Sequence, residues 1–304
     1  MVHPYPAGPG AASGASPVNG QAAVERHTGE RVTAVSPLGG TAVAFTLGDG
    51  REVVAKRGAG PGAAPAEATG LRWLGAPGDV AVPLVHGYDE DWLVTDLVRP
   101  GSPGIPAAEA FGRGLAALHL RGAPAFGCPP PGGPAGAWIG LAPMRNEPHG
   151  DWPSFYAARR VRPYVRTAVG MGLFDGGQAA EFDRLCERLP DAAGADEPPA
   201  RLHGDAWNGN VLWGAGERVW LIDPAAHGGH READLAMLRL FGLPLLDVVL
   251  DAYAGAAADA GSPLADGWRE RAGLHQLYPL LVHTVLFGGS YPERALAAAR
   301  GAVR

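Results

Sequence analysis

Three polar residues stand at spacings that chemistry can use. Asp205 lies in Leu202-His203-Gly204-Asp205-Ala206-Trp207-Asn208-Gly209-Asn210, and Asn210 follows it by five positions. Asp223 comes thirteen beyond, in Trp220-Leu221-Ile222-Asp223-Pro224. Phosphoryl transfer from a nucleotide needs such a set: one carboxylate to orient the attacking hydroxyl, and an amide with a second carboxylate to hold Mg²⁺ on the phosphates. Asp205 is the candidate base, a role that contributes typically ~10²–10⁴-fold when well placed. Asn210 and Asp223 are the candidate metal ligands, since Mg²⁺ takes one or two protein oxygens and completes its octahedron with phosphate and water. The competing explanation is a chance match among polar turn residues. The joint spacing, the flanking apolar runs and two residues upstream weigh against it.

Those two are Lys56 and Glu67. Of the 25 basic residues, Lys56 is the only lysine, and an ammonium point charge is not equivalent to a guanidinium fork. Glu67 follows eleven residues later, in a helix opening at Pro65 and running to about Leu74. It can pair with the lysine, or simply sit where a helix's first turn favours an acid. Beside a lone lysine the pair is the preferred reading.

The elements around these residues follow from pattern. Val32–Val35 and Ala42–Leu47 read as strands about the turn Ser36–Thr41, and Gly48-Asp49-Gly50 signals a hairpin into a strand from Glu52 to Lys56. A turn carrying Gly39 and Gly40, then a strand ending in lysine, is the layout of a nucleotide lid. Val80–Val85 and Trp92–Val98 are two further strands. The second ends in Thr95-Asp96-Leu97-Val98, a segment whose backbone groups, Asp96 and Val98 among them, would face an adenine ring if the chain is a kinase. Arg201–Asp205 is a short strand entering a tight loop. Val211–Trp213 and Val219–Ile222 form a hairpin across Gly214-Ala215-Gly216, with Asn210 at one end and Asp223 at the other.

Arg99–Gly104 is a shift in composition and marks a domain boundary. Beyond it the chain turns helical. Ala107–Arg121, Asp151–Ala168 and Gln178–Leu189 have helical spacing, with a kink or break at Pro163. Arg159, Arg160, Arg162 and Arg166 read as a solvated row. His119 reads as a packed or capping histidine, and Asp234 as a helix cap or partner of Arg231. Residues 123–150 have little periodicity and read as a long loop of the kind that serves as a functional surface or lid.

Composition sets outer limits. A net charge of -6 and a pI near 5.9 argue against a nucleic-acid partner. No apolar run is long enough to cross a bilayer, and Met1–Gly20, rich in Pro, Gly, Ala and Ser, reads as a flexible tail. Cys128 and Cys186 are far apart and read as reduced thiols of a cytoplasmic protein. Only His227 and His230 stand close together among the histidines, and no zinc set is completed.

The catalytic stretch with Ile222-Asp223-Pro224 resembles the aminoglycoside phosphotransferase/choline kinase superfamily. Within it, the His203–Asn210 loop and Gly229-His230-Arg231-Glu232-Ala233-Asp234-Leu235-Ala236-Met237 resemble the fructosamine (ketosamine-3-) kinases more closely. So do Leu277–His283, Leu286–Tyr291 and the Trp152–Arg162 helix. The resemblance implies an α+β, two-lobe, protein-kinase-like fold: a tail over residues 1–20, a nucleotide-binding lobe over 21–98, mainly antiparallel sheet with one helix, and a mostly helical catalytic and substrate lobe over 99–304. It implies ATP-dependent phosphorylation of a sugar hydroxyl on a ketosamine, with ATP and Mg²⁺ required. Asp205 would be the base, Asn210 and Asp223 the Mg²⁺ ligands, and Lys56 with Glu67 the phosphate-positioning pair. Trp207, His203 and His230 would face a small sugar-amine substrate. No nucleic-acid or membrane partner is implied, and a monomer is favoured. The plain glycine turn and the loop around Cys128–Gly136 depart from that family's pattern. Rival readings are an aminoglycoside, choline or other small-alcohol kinase of the same fold, and a catalytically silent nucleotide-binding module.

Overall fold

The computed structural model describes residues 17–216 and 218–303. The chain opens with α1 (Pro17–Thr28), then β1 (Val32–Gly39), β2 (Ala42–Leu47) and β3 (Glu52–Arg57). Helix α2 (Ala63–Gly75) precedes β4 (Val85–Tyr88) and β5 (Trp92–Asp96). The five strands form one antiparallel sheet in the order β1-β2-β3-β5-β4.

Alternation along β3 decides what each face does. Val53 and Ala55 point to one side, where they pack with Phe45, Trp92 and Val94 against Ala23 and Val24 of α1. Lys56 points to the other, opposite Leu93, which packs against Ala64, Ala68 and Leu71 of α2. The small lobe therefore carries two helices where the sequence predicts one. Residues 1–16 of the expected tail lie outside the described residues, while Pro17 to Gly20 already belong to α1. A Cβ on Gly20 would stand 3.2 Å from the Phe45 ring and 3.3 Å from that of Trp92, so the helix backbone rests directly on the sheet. The strand expected over Val80–Val85 forms later, at Val85–Tyr88. Ala81 instead bridges to Trp220 of the large lobe, and its carbonyl accepts the Leu221 N–H at 2.9 Å.

The large lobe begins with α3 (Ile105–Leu120) and continues with the hairpin β6 (Gly136–Ile139) and β7 (Ala142–Arg145). That hairpin lies inside the stretch expected to be a loop without regular structure. Next come α4 (Trp152–Phe155), a π-helical segment (Tyr156–Val161), α5 (Arg162–Gly170) and α6 (Gly176–Ala192). The break expected at Pro163 is this widened turn. A proline cannot serve the carbonyl four residues back, and the Arg159 carbonyl instead lies 3.4 Å from the guanidinium of Arg160. β8 (Ala200–Leu202) pairs with β11 (His227–Gly229), and between them β9 (Val211–Gly214) pairs with β10 (Arg218–Leu221). Helices α7 (Glu232–Leu240), α8 (Leu246–Asp259), α9 (Ala272–Phe287) and α10 (Tyr291–Ala302) complete the lobe. Its apolar side chains form two cores, one around α5, α6, α9 and α10 and one between α3, α8 and the β9–β10 hairpin. No helix among the described residues is long and apolar enough to cross a membrane.

Candidate active site

The loop after β8 turns sharply at Gly204, whose φ is +82°. A Cβ there would lie 2.2 Å from the Ala225 carbonyl oxygen, so only glycine fits. Asp205 emerges from this turn 5% exposed. Asn210 Nδ2 donates to the Asp205 main-chain oxygen at 2.9 Å and to its Oδ2 at 3.0 Å. With the nitrogen so used, the amide oxygen of Asn210 is the atom that can ligate a cation. The Ile222 N–H donates to the Asn210 carbonyl at 3.0 Å, which fastens the far end of the hairpin to the loop. Asp223 follows immediately in the left-handed region, φ +53°. A non-glycine residue held there costs of order 1–3 kcal/mol and persists where its surroundings over-determine it.

Lys56 joins the two lobes. Its Nζ lies 2.8 Å from Glu67 Oε2 and 3.0 Å from Asp223 Oδ1. The side chain of Asp223 is 42% exposed, the most open of the three. Two carboxylates thus share one ammonium, an arrangement one positive charge short of neutral. Burial, together with the charge of Asp223, pushes the Glu67 carboxyl up to about 7 despite Lys56. Lys56 is held charged: burial opposes its proton, but Asp223 and Glu67 outweigh that and raise its pKa. The Asp205 carboxyl is likewise raised well above the ordinary aspartate range, by burial first and by the Asp223 charge second.

Behind the loop stands Asp234, 1% exposed. Its Oδ2 accepts the His203 N–H at 2.8 Å and its Oδ1 the Gly204 N–H at 2.9 Å, while His119 Nε2 lies 3.2 Å from Oδ2. His119 Nδ1 in turn lies 2.8 Å from the Tyr253 hydroxyl. Burial alone would raise the Asp234 carboxyl, but His119, His203 and the Gly204 N–H outweigh it and hold it below the usual range. Asp234 therefore does not pair with Arg231, which is held by Glu197 at 2.6 Å. Nothing in the local sequence distinguishes a carboxylate that caps its own helix from one that reaches a loop thirty residues upstream; the lobe's packing decides it.

Of the side chains assigned to substrate, His203 does not face outward. It is fully buried. Its Nε2 lies 2.9 Å from the Ile222 carbonyl, and its Nδ1 accepts the Asp205 N–H at 3.2 Å. That network makes it a neutral brace, consistent with burial lowering its pKa. His230 is also buried, packed against Trp152 and His275 with ring centroids 5.4 and 4.8 Å away. It lines a cavity of about 30 Å³ behind the loop, together with Gly204, Arg160 and Tyr278. His230, Glu232 and His275 approach within 4.8 Å of one another. Both Glu232 oxygens are already taken by Arg271, at 2.6 and 3.0 Å, so the trio reads as a packed charge cluster. Trp207 lies two residues past Asp205, edge-on to Phe241 at 5.8 Å.

Arg160 corrects the solvated row: Arg162 and Arg166 are exposed, but Arg160 is 1% exposed. It donates to the Arg145 carbonyl at 2.9 Å and to Asn146 Oδ1 at 2.8 Å, and lies over the rings of Phe155 and Tyr278. Gly39 and Gly40 turn at the end of β1 with φ of +106° and +59°, and a Cβ on either would meet nothing within 4 Å. Asp96 ends β5, its Oδ1 2.7 Å from His86 Nε2, and Val98 lies in the segment that crosses to the large lobe.

Comparison with known proteins bears on the chain as a whole. The fructosamine kinase family matches residues 61–301. A Thermus thermophilus protein named as a probable ketoamine kinase is 33% identical over 238 residues, 76% of this chain and 79% of its own length. One from Enterococcus faecium is 32% identical over 234 residues, 74% of this chain and 78% of its own. The crystal structure of a Thermobifida fusca protein assigned by name to fructosamine-3-kinase superposes with a TM-score of 0.86 at 45% identity, covering 93% of this chain and 98% of that one. A macrolide 2′-phosphotransferase from Brachybacterium faecium shares the fold, with a TM-score of 0.58 at 17% identity over 92% of this chain and 96% of its own.

Proposed function

The chain belongs to the fructosamine kinase family and is a small-molecule kinase, transferring a phosphoryl group to an alcohol, and from that premise we propose that it phosphorylates a sugar hydroxyl of a ketosamine of the fructosamine or ribulosamine type. The observation that carries the reading is the cluster of Lys56, Glu67 and Asp223 across the lobes, beside Asp205 and Asn210. A set with two carboxylates and one ammonium is net negative and suits a bound divalent cation. The Asn210 amide oxygen and the open Asp223 carboxylate would hold Mg²⁺, which when bound neutralises charge on the phosphates of ATP.

Lys56, aimed by Glu67, pairs with those phosphates. Gly39 and Gly40 let the β1–β2 turn approach them, since no side chain stands between backbone and phosphate. Asp96 and Val98, at the crossing between the small, nucleotide lobe and the catalytic lobe over 99–304, offer backbone groups to adenine. Asp205 accepts the proton of the sugar hydroxyl as its oxygen bonds to the γ-phosphorus, and the bond from that phosphorus to the β-γ bridging oxygen breaks to release ADP. The raised proton affinity of Asp205 suits a base that must take a proton in a buried site. Trp207 supplies an aromatic face for the apolar side of the sugar ring.

The test is ADP release with Mg-ATP across ketosamines, aminoglycosides and choline, with Asp205→Asn as control. Turnover on ketosamines that the variant loses is the expected result. Turnover confined to another class would overturn the substrate assignment, and an active variant would overturn the role of Asp205.

A further inference from the structure

The β6–β7 hairpin, in the part of the chain with least periodicity, does not stand open as a lid. It reaches across the lobe boundary to the N-terminus of α2. The Trp138 ring covers the backbone at Gly60, where a Cβ would fall 2.3 Å from ring atom Cζ2. Gly60 has no left-handed φ to require glycine; the ring is what forbids a side chain. Trp138 Nε1 donates to the Pro61 carbonyl at 3.2 Å. A Cβ on Gly62 would lie 3.8 Å from the Gly136 carbonyl oxygen, and one on Gly133 would lie 2.8 Å from Thr69 Oγ1, so the 133–138 segment runs along the first turns of the helix.

The helix needs such a support. Its N-cap residue, Gly62, makes no side-chain cap hydrogen bond. The Gly60 carbonyl accepts the Ala63 N–H at 3.0 Å and the Gly62 carbonyl accepts the Ala66 N–H at 3.0 Å, so the residues under Trp138 are those that start the helix. At its far end the Trp73 carbonyl accepts from Arg201 at 2.8 Å, and that guanidinium lies 4.7 Å from the Trp73 ring centroid. Both ends of α2 are thus fastened to the large lobe, with Glu67 five residues beyond Gly62.

We propose that Trp138 is a positioning residue for the nucleotide site: by clasping residues 60–62 it fixes the register of α2 and so holds Glu67 against Lys56 and Asp223. The proposal rests on reading Lys56 and Glu67 as the phosphate-positioning pair. Loosening the clasp frays the uncapped first turns and spreads Glu67 over positions from which it no longer aims the lysine. The effect falls on ATP and spares the sugar side, because Trp207 and Asp205 are held by other elements.

Trp138→Ala should raise the KM for ATP by about three- to thirtyfold, the range of coupling through a packed element, with the KM for the sugar within about twofold. Trp138→Phe keeps the ring over Gly60 and should recover most of the loss. Gly60→Ala attacks the same contact from the other side and should reproduce the defect with Trp138 intact. Amide hydrogen exchange read without turnover should speed up over residues 61–68 in Trp138→Ala and Gly60→Ala, and stay unchanged over 200–229. Unchanged exchange over 61–68 would overturn the proposal, as would a general loss of protection with both KM values moving together. A wild-type protein without ATP turnover would sink the phosphotransfer reading, while the exchange data would still decide whether the clasp exists.

Discussion

Asp205 and Asp234 are both buried, yet the same substitution should act on them with opposite signs. Asp234 accepts two main-chain N–H groups and faces His119, and its proton affinity is lowered. Its charge therefore stabilises the fold at neutral pH. In Asp234→Asn one amide oxygen can keep one N–H, while the NH₂ group confronts the other donor. Losing one charge-assisted bond and leaving a buried N–H unserved costs roughly 3–5 kcal/mol, or roughly 5–8 °C in Tm for a chain of this size. Asp205 has a raised proton affinity, so its charge opposes folding, and Asp205→Asn should leave Tm unchanged or higher. Both variants should lose activity, Asp205→Asn by removal of the proposed base and Asp234→Asn by loosening the loop that carries it.

The pH dependence separates the two further. The contribution of Asp234 is present above the unfolded aspartate pKa of about 3.9 and is lost as pH falls through the lower folded value. The penalty from Asp205 develops above about 3.9 and is complete only above its raised folded value. Calorimetric Tm from about pH 4 to 8, with kcat at about pH 7.5, is the assay. A Tm for Asp234→Asn within about 2 °C of wild type, or an Asp205→Asn variant less stable than Asp234→Asn, would refute the assignment of roles.

Further outcomes follow from the same geometry. Lys56→Met leaves Glu67 and Asp223 facing each other unneutralised, and kcat/KM for ATP should fall about 10²–10³-fold, as removal of one charge-stabilising donor does; steady-state kinetics check this. The acid limb of kcat/KM should lie above the ordinary carboxylate range, because Glu67 and Asp205 both take up protons above it, so activity falls as pH drops; a limb near the ordinary carboxylate value of about 4 would contradict both shifts. Arg160→Ala opens a cavity between Phe155 and Tyr278 and strips the Arg145 carbonyl and Asn146 of their donor. It should cost about 2–4 kcal/mol in chemical denaturation.

Much of the candidate site is legible in the chain because its parts are local. The Asp205–Asn210–Asp223 spacing spans one loop and one hairpin, and turn chemistry fixes both. Lys56 stands out by composition alone, and period-two alternation puts it on the face opposite Val53 and Ala55. The first helix is not legible: among the described side chains of Pro17–Thr28 only Ala23 and Val24 bury apolar groups fully, too few to show a helical stripe. It is ordered by the sheet face it covers. The β6–β7 hairpin is short and lies in a Pro/Gly-rich stretch, and what it packs on is a helix of the other lobe.

The type of chemistry is written in the chain itself, since an acid, an amide and a second acid at fixed spacings with a lone lysine admit few uses. Packing in three dimensions settles how the neighbouring polar residues are employed. His203 and His230 lie in or beside the motif, yet packing turns both inward, one as a brace on the loop and one into an aromatic cluster. Asp234 and Trp138 carry no local sign of the segments they touch, because each meets a stretch distant in sequence. A hydrogen bond or a stacked ring acts over a few ångströms of space, and only the folded chain sets which residues lie within them.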